Sequence, residues 1–182
     1  MNAAAAESPA GDEIVVLVVM GVTGTGKSTV AGLLAGELGW DLEEGDDLHP
    51  AANVAKMHAG TPLTDDDRWP WLDRIAAWIS VHTASGTPGI ITCSSLKRSY
   101  RDRIRGPGVV FVHLSADRDA IFARLSARMN HFMPPALLDS QLATLEPLEP
   151  DERGVVVTLG GRPRDEARRA LEALGLGAPK LI

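Results

Sequence analysis

The chain has little cysteine and no long apolar run, and each absence excludes a class of protein. Its single cysteine, Cys93, excludes an internal disulfide framework and is typical of a reducing compartment, so we expect a cytoplasmic location. No apolar run approaches the roughly 18 residues that a membrane-spanning helix needs, and we expect no membrane partner. Residues 1–12 contain no Lys or Arg, so they lack the basic region of a signal peptide and predict a disordered leader.

The charge of the chain is acidic, with a net value of −6 at pH 7. Because binding to a phosphate backbone requires a basic surface, we expect no nucleic-acid partner. The basic residues are nevertheless clustered: twelve of the eighteen fall in residues 97–105, 118–128 and 162–169. On an acidic protein such clusters suggest local anion sites, although a solvated helix face explains any single arginine equally well.

The most informative part of the chain is the junction between an apolar run and a glycine-rich segment. Residues 14–20 predict a buried strand, residues 29–38 predict a helix, and residues 21–28 between them fit the pattern G-x-x-x-x-G-K-[ST]. The motif and the residue after it are Gly21, Val22, Thr23, Gly24, Thr25, Gly26, Lys27, Ser28 and Thr29. In this pattern backbone N–H groups surround phosphate oxygens, the lysine reaches the terminal phosphates and the serine hydroxyl holds Mg²⁺. The chain is therefore predicted to bind a nucleoside triphosphate.

Strand and helix patterns alternate along the rest of the chain. Strands are predicted at residues 14–20, 89–93, 109–114 and 155–158, with a weaker one at 40–43. Helices are predicted at residues 29–38, 51–58, 69–83, 96–105, 118–128, 135–145 and 163–174. This alternation predicts an α/β fold, a three-layer sandwich in which helices cover both faces of a parallel five-stranded sheet. We expect one domain over residues 13–182, with a substrate-binding insertion at about 45–85 and a lid at about 124–137.

Two missing motifs and the length of the chain narrow the class of nucleotide-binding protein. The strand at residues 89–93 and the residues after it lack the terminal Asp of a Walker B strand, and no N-K-x-D motif for guanine recognition is present. The length of 182 residues leaves no room for the oligomeric modules of motor ATPases. A compact small-molecule kinase remains, in which Cys93 is expected to pack in the core and not to act as a nucleophile.

Several blocks of residues resemble the gluconokinase family, in the expected order over roughly residues 14–160. They are Glu44-Gly45-Asp46-Asp47-Leu48-His49-Pro50, Asn53 with Lys56-Met57, Gly60 to Leu72, Cys93 to Asp102, Phe111-Val112-His113-Leu114, Arg128 to Met133, Leu137 to Gln141, and Leu145-Glu146. The resemblance implies a homodimeric enzyme that uses ATP and Mg²⁺ to phosphorylate D-gluconate at its 6-hydroxyl, with a fold similar to shikimate kinase and the nucleoside monophosphate kinases. The alternatives are another small-metabolite kinase of this fold and a nucleotide-binding regulatory module without catalysis.

Two acidic residues after the second strand are the candidates for the chemistry of phosphoryl transfer, which depends on positioning and charge neutralisation. Asp46 matches the second acid of the D-x-D pattern in shikimate-kinase relatives, where it could orient the attacking hydroxyl and accept its proton. An N-cap or turn aspartate is the structural alternative. Glu44 stands at the first acid of that pattern, where aspartate is commoner, and could hold Mg²⁺ through water.

Basic residues near the carboxyl ends of the strands are expected to bind the acceptor. Arg68 resembles the arginine that binds the substrate carboxylate in shikimate kinase, and a guanidinium fork matches that planar group. Lys97 and Arg98 begin the helix that follows a core strand. The expected substrate contacts are Asp46, His49, Arg68, Ser94, Lys97, Arg98 and His131.

Further arginines are expected on the nucleotide side. Arg124 and Arg128 lie one helical turn apart and share a face. In similar kinases such arginines move with the lid onto the ATP phosphates, which gives them a catalytic role beside Lys27 and Asp46. Arg162 follows the last strand, where related kinases place adenine, although a simple strand-to-helix turn explains that segment equally well.

Overall fold

Parallel strands form the central layer of the protein. The computed structural model describes residues 13–128 and 135–177, and within these ranges it contains five strands in one sheet, all paired in parallel. They are β1 (Val16–Met20), β2 (Asp41–Glu44), β3 (Gly89–Thr92), β4 (Val109–Ser115) and β5 (Gly154–Thr158). The order across the sheet is β2-β3-β1-β4-β5, so β1 lies at the centre and its carboxyl end meets those of its neighbours.

Seven α-helices and one short 3-10 helix lie in the same described ranges. The α-helices are α1 (Lys27–Leu38), α2 (Ala51–His58), α3 (Asp65–Ser85), α4 (Arg98–Ile104), α5 (Arg118–Ala127), α6 (Pro135–Thr144) and α7 (Pro163–Leu174). The 3-10 helix, Gly45–Leu48, directly follows β2. No helix among the described residues is long and apolar enough to cross a membrane.

The two faces of the sheet pack against different helices because successive side chains of a strand point in opposite directions. In β1, Val16 and Val18 belong to a buried cluster with α3 and α4, whereas Leu17 and Val19 belong to a cluster with α1 and α7. The predicted three-layer α/β sandwich with a parallel five-stranded sheet is therefore confirmed. Cys93 is buried in the first cluster, and burial raises the pKa of its thiol to about 11, which agrees with a packing role.

A third apolar cluster lies over the glycine-rich loop. Val22 of that loop packs with Ile121 and Leu125 of α5 and with Leu138 of α6. The approach is close, since a Cβ added to Gly24, which has a φ of +80°, would lie 2.6 Å from Cγ of Leu125. Helix α5 is therefore held directly against the phosphate-binding loop.

The largest difference from the predicted elements is the start of α3, which begins at Asp65 and not at residue 69. The Thr64 side chain accepts from the Asp67 N–H, and the Asp67 carboxylate accepts from the Thr64 N–H, which forms a capping box. Proline usually occupies the first turn of a helix, so Pro70 by itself predicts a start near residue 69. In the structure Pro70 lies inside the helix, because the capping box starts α3 at Asp65.

Gly45 allows the carboxyl ends of β2 and β3 to approach each other. A Cβ added to Gly45 would lie only 1.9 Å from the carbonyl oxygen of Thr92. The Gly45 N–H donates to Thr92 Oγ1 at 3.1 Å, and the Gly45 carbonyl accepts from the indole N–H of Trp71 at 2.7 Å. Glycine is therefore required between β3 and α3, and this contact fixes the residues on either side of it.

We predict that Gly45→Ala lowers the free energy of unfolding by at least about 2 kcal/mol, because β2 and β3 must separate to admit the methyl group. Urea unfolding checks this. Gly36→Ala in α1 is the matched control, since no atom lies within 4 Å of its added Cβ, and it should be neutral or stabilise by up to about 1 kcal/mol. Equal effects of the two changes would contradict the prediction.

Candidate active site

The glycine-rich loop joins β1 to α1 and has the backbone of a phosphate cradle. Gly26 precedes α1 with a φ of +83°, so the loop leads directly into the N-terminus of that helix, where anions bind. The Lys27 ammonium donates to the Val22 carbonyl at 3.1 Å. Burial lowers the pKa of Lys27, and Asp46 is the strongest of the charges that oppose this effect. Lys27 and Asp46, which belong to different elements, are therefore within electrostatic range of each other.

A hydrogen-bonded junction links this loop to the ends of two strands. The Glu44 carboxylate accepts from the Ser28 hydroxyl at 3.0 Å and from the Thr92 hydroxyl at 2.7 Å, both at Oε2. Thr92 Oγ1 in turn accepts from the Gly45 N–H. Ser28 and Glu44, 16 residues apart in sequence, are thus brought together, and their role as metal ligands stays a prediction.

The oxygens of this junction fit Mg²⁺, a hard cation that binds through one or two protein ligands while phosphates and water supply the rest. The Ser28 hydroxyl is exposed and the Glu44 side chain is partly exposed, so both can be reached by a metal–nucleotide complex. Among the residues that the structure describes, no group of three or more His, Cys, Asp and Glu could hold a metal by itself.

Asp46 lies in the 3-10 helix after β2, with its side chain about 90% exposed. Its Oδ1 is 4.0 Å from Nε2 of His49. The imidazole of His49 stacks on the indole of Trp71 with ring centroids 4.2 Å apart, and the same indole holds the Gly45 carbonyl. One buried tryptophan therefore fixes the backbone before Asp46 and the imidazole after it.

Asn53 of α2 orients that imidazole. Its Nδ2 donates to the Asp67 carbonyl at 2.8 Å and lies 3.2 Å from Nδ1 of His49. Since Nδ2 is only a donor, Nδ1 of His49 accepts, and the neutral ring carries its proton on Nε2, toward Asp46. Burial lowers the pKa of His49, Asp46 opposes this effect and Arg68 adds to it, so His49 is neutral at pH 7.

Arg68 and Lys97 converge on one aromatic ring. The Arg68 guanidinium and the Lys97 ammonium each lie 5.5 Å from the ring centroid of Tyr100. Both oxygens of the Asp65 carboxylate accept from Lys97 Nζ at 3.2 Å, and Oδ1 also accepts from the Tyr100 hydroxyl. Arg68 also donates to the Leu63 carbonyl at 2.9 Å. Two cations thus share a site with one carboxylate.

Arg98 and Arg101 have different environments although both are on α4. The Arg98 guanidinium forms exposed ion pairs with Asp102, Glu149 and Asp151, which favour a structural role for it. Its expected contact with the acceptor stays a prediction. Arg101 is fully buried and binds both carboxylate oxygens of Glu152, at 2.6 and 3.0 Å.

The loop after β3 lies against the glycine-rich loop. The Gly21 N–H donates to the Ser94 carbonyl at 3.3 Å, and Ser94 is half-buried. Ser95 has a φ of +50°, in the left-handed region that costs energy for a non-glycine residue, and Arg101 holds its carbonyl at 2.9 Å. Arg101 therefore braces this loop beside the phosphate cradle.

The arginines expected on the nucleotide side differ in their partners. Arg124 donates to Glu166 of α7. It also lies close to the glycine-rich loop, because a Cβ added to Gly26 would be 3.8 Å from Arg124 Nη1. Arg128 is exposed, and its charge contributes to the lowered pKa of Lys27. Arg162 is 84% exposed at the start of α7. His131 and the middle of the expected lid, residues 129–134, lie outside the described residues.

Several residues of the site were not singled out from the sequence. They are Thr92, Asn53, Trp71, Tyr100, Asp65 and Glu166. Most of their contacts join residues 14 or more positions apart. The shorter ones are Tyr100 with Lys97, Asn53 with His49 and Glu166 with Gly160, at separations of three, four and six.

Comparisons with known proteins agree with this geometry. A protein-family model described as "AAA domain" matches residues 16–148. A gluconokinase of Gluconobacter oxydans (strain 621H) is 53% identical over 138 residues, which are 75% of this chain and 78% of that protein. Among solved structures, a gluconokinase from Sinorhizobium meliloti 1021 is 43% identical with a TM-score of 0.77, covering 90% of this chain and 94% of that one. An unliganded sugar kinase from Janibacter sp. HTCC2649 is 49% identical with a TM-score of 0.82, covering 90% and 95%.

We predict that Thr92→Val lowers the free energy of unfolding by about 1–3 kcal/mol, because it leaves the buried Gly45 N–H without its acceptor. It should also raise the Mg²⁺ concentration needed for half-maximal activity, since Glu44 loses the hydroxyl that holds it. Thr158→Val, at the exposed end of β5, is the matched control and should change stability by no more than about 0.5 kcal/mol. Unfolding curves and Mg²⁺ titrations that do not distinguish the two variants would refute the junction's role.

Proposed function

Since the chain belongs to the gluconokinase family, we propose that it transfers the γ-phosphoryl group of ATP to the 6-hydroxyl of D-gluconate, which gives 6-phosphogluconate and ADP. The observation that carries this proposal is the Ser28–Glu44–Thr92 junction. It holds the phosphate cradle and the segment bearing Asp46 in one rigid unit. A regulatory module that only bound a nucleotide would not need an exposed acid on the far side of the terminal phosphate.

In this mechanism Asp46 receives the acceptor hydroxyl. Its carboxylate orients the hydroxyl oxygen toward the γ-phosphorus and accepts the proton late in the transfer, as the transition state is loose. Lys27 lies within electrostatic range of Asp46 and neutralises charge on the terminal phosphates. Backbone N–H groups of residues 24–28 would hold the remaining phosphate oxygens.

Ser28 and Glu44 would hold Mg²⁺, Ser28 directly and Glu44 through water. The bound ion would supply charge neutralisation on the β- and γ-phosphates. The two side chains are already joined by a hydrogen bond, so the protein orders its own ligands before the nucleotide binds.

The acceptor side is proposed to bind a carboxylate at one end of the substrate and hydroxyl groups at the other end. Arg68 and Lys97 are the cations for the carboxylate, and Asp65 is the counterion of Lys97. The neutral imidazole of His49 presents Nε2–H beside Asp46 and can donate to a substrate oxygen. Ser94 and His131 complete the proposed set, whereas Arg98 is already paired with four carboxylates.

The nucleotide side is proposed to include Arg124, Arg128 and Arg162. Arg124 lies beside Gly26, and the charge of Arg128 acts on Lys27, which supports a place for both beside the ATP phosphates. Arg162 lies between β5 and α7, where an adenine ring would be held in related kinases.

We also propose a homodimer that works in the cytoplasm, on the strength of the family and of the single reduced thiol.

A coupled ADP-release assay tests the reaction, with D-gluconate, shikimate and no acceptor as its three arms. Gluconate should accelerate ADP release strongly, and ³¹P NMR of the product should show a phosphate monoester on the primary carbon. In the same assay Asp46→Asn should reduce turnover at least about 100-fold while ATP still binds, and Asp47→Asn, its exposed neighbour, should have little effect. A rate with gluconate equal to the acceptor-free rate would refute the function.

The carboxylate site is tested by Arg68→Met. We expect the KM for gluconate to rise about 10- to 100-fold with the KM for ATP nearly unchanged, since a charge-assisted contact to the acceptor alone is lost. Arg103→Met is the matched control, because Arg103 lies 5.5 Å from the ring centroid of Trp69 and pairs with Asp73 on the surface. A neutral hexitol, which lacks the carboxylate, should be phosphorylated no worse by the variant than by the wild type. A parallel loss with both acceptors would show that Arg68 acts on the fold.

A further inference from the structure

Glu166 is a buried acid that the reaction itself does not use. It lies in the first turn of α7 with 0% of its surface exposed. Its Oε1 accepts from Nη2 of Arg124, on α5, and from the N–H of Gly160, in the loop that follows β5, at 3.2 Å. One carboxylate therefore joins the helix that packs on the phosphate cradle to the loop on the nucleotide side of the sheet.

This arrangement is poorly explained by stability alone. Within the described residues Glu166 Oε2 is buried and has no hydrogen-bond partner. A buried carboxylate that is only half satisfied costs free energy, and apolar residues of similar size often stabilise a protein as well or better. The neighbouring positions of α7 that face the sheet, Ala167 and Ala170, are indeed small and apolar. The acid therefore requires an explanation beyond packing.

The position of Arg124 supplies one. Its side chain is about 30% exposed, so one side of the guanidinium contacts Glu166 while the other can reach a ligand. A Cβ added to Gly26, at the N-terminus of α1, would lie 3.8 Å from Arg124 Nη1. Leu125, the next residue, packs against Gly24 and sets the height of α5 above the loop. Arg124 is thus held at the mouth of the phosphate cradle by Glu166.

We propose that Glu166 is a positioning residue that holds Arg124 in its phosphate-binding orientation before ATP arrives. An arginine side chain has considerable rotamer freedom, and a ligand that must order it binds more weakly than one that finds it already ordered. Through Gly160 the same carboxylate fixes the loop beside Arg162, so the arginine and the loop are ordered together. The inference rests on the proposed function only in assigning Arg124 to the ATP phosphates.

The test is the dissociation constant of Mg–ATP, measured by calorimetric titration of the full chain without any acceptor. Glu166→Gln, which retains the shape and an acceptor for Gly160, should weaken ATP binding about tenfold. Glu172→Gln is the matched control, because Glu172 lies on the same helix and pairs with Arg168 at the exposed surface. It should leave the dissociation constant unchanged. Since no gluconate is present, the result does not depend on which acceptor the enzyme uses.

A double-mutant comparison separates positioning from a structural role. In an Arg124→Ala background, Glu166→Gln should weaken ATP binding by no more than about twofold, because the residue that it positions is absent. Equal weakening in both backgrounds would mean that Glu166 acts through the fold and would overturn the proposal. Unchanged ATP binding by the single variant would also overturn the proposal. Tighter binding would do the same, because the pair with Glu166 would then keep Arg124 away from ATP. If Glu166→Gln does not fold, Glu166→Asp in the same two backgrounds gives the same comparison.

Discussion

One junction, where the carboxyl ends of β2 and β3 meet beside the phosphate-binding loop, determines the position of the other groups in the site. The Thr92 hydroxyl donates to Glu44 and accepts from the Gly45 N–H, and Ser28 donates to the same carboxylate. The contact is possible because residue 45 has no Cβ, which would lie 1.9 Å from the Thr92 carbonyl. As a result the proposed metal ligands and Asp46 belong to one rigid unit and do not depend on a flexible loop for their spacing. Phosphoryl transfer requires such fixed geometry more than it requires reactive side chains.

A second theme is that carboxylates hold the cations of the site in the absence of ligands. Asp65 holds Lys97 beside Tyr100, and Glu166 holds Arg124 beside the cradle. The chain is acidic overall, yet at each of these two places an anionic ligand would meet an ordered positive group. The two pairs differ in burial: Asp65 is half-exposed, so Lys97 would be able to exchange it for the carboxylate of the proposed substrate, whereas Glu166 is fully buried.

The fold and the phosphate-binding half of the site could be predicted from the sequence because their signals are local. Apolar runs, the spacing of the glycine-rich motif and the acids after β2 are all short-range patterns; the structure joins Ser28 and Glu44 by a hydrogen bond, and their role at a metal stays a prediction. The other partners could not be predicted, because burial and long-range contact decide their roles. Arg98 and Arg101 illustrate the limit: they are three residues apart on one basic helix, yet one lies in exposed ion pairs and the other is fully buried against Glu152.

The most direct test of the central claim is a crystal structure with Mg²⁺, a non-hydrolysable ATP analogue and D-gluconate bound together. We predict that the metal contacts the Ser28 hydroxyl, that Glu44 holds a water of its coordination shell, and that the 6-hydroxyl of gluconate lies within hydrogen-bond distance of Asp46 and in line with the γ-phosphorus. The carboxylate end of gluconate should lie at Arg68 and Lys97. A complex in which the metal lies away from Ser28 and Glu44, or in which the carboxylate end of gluconate faces Asp46, would contradict this account.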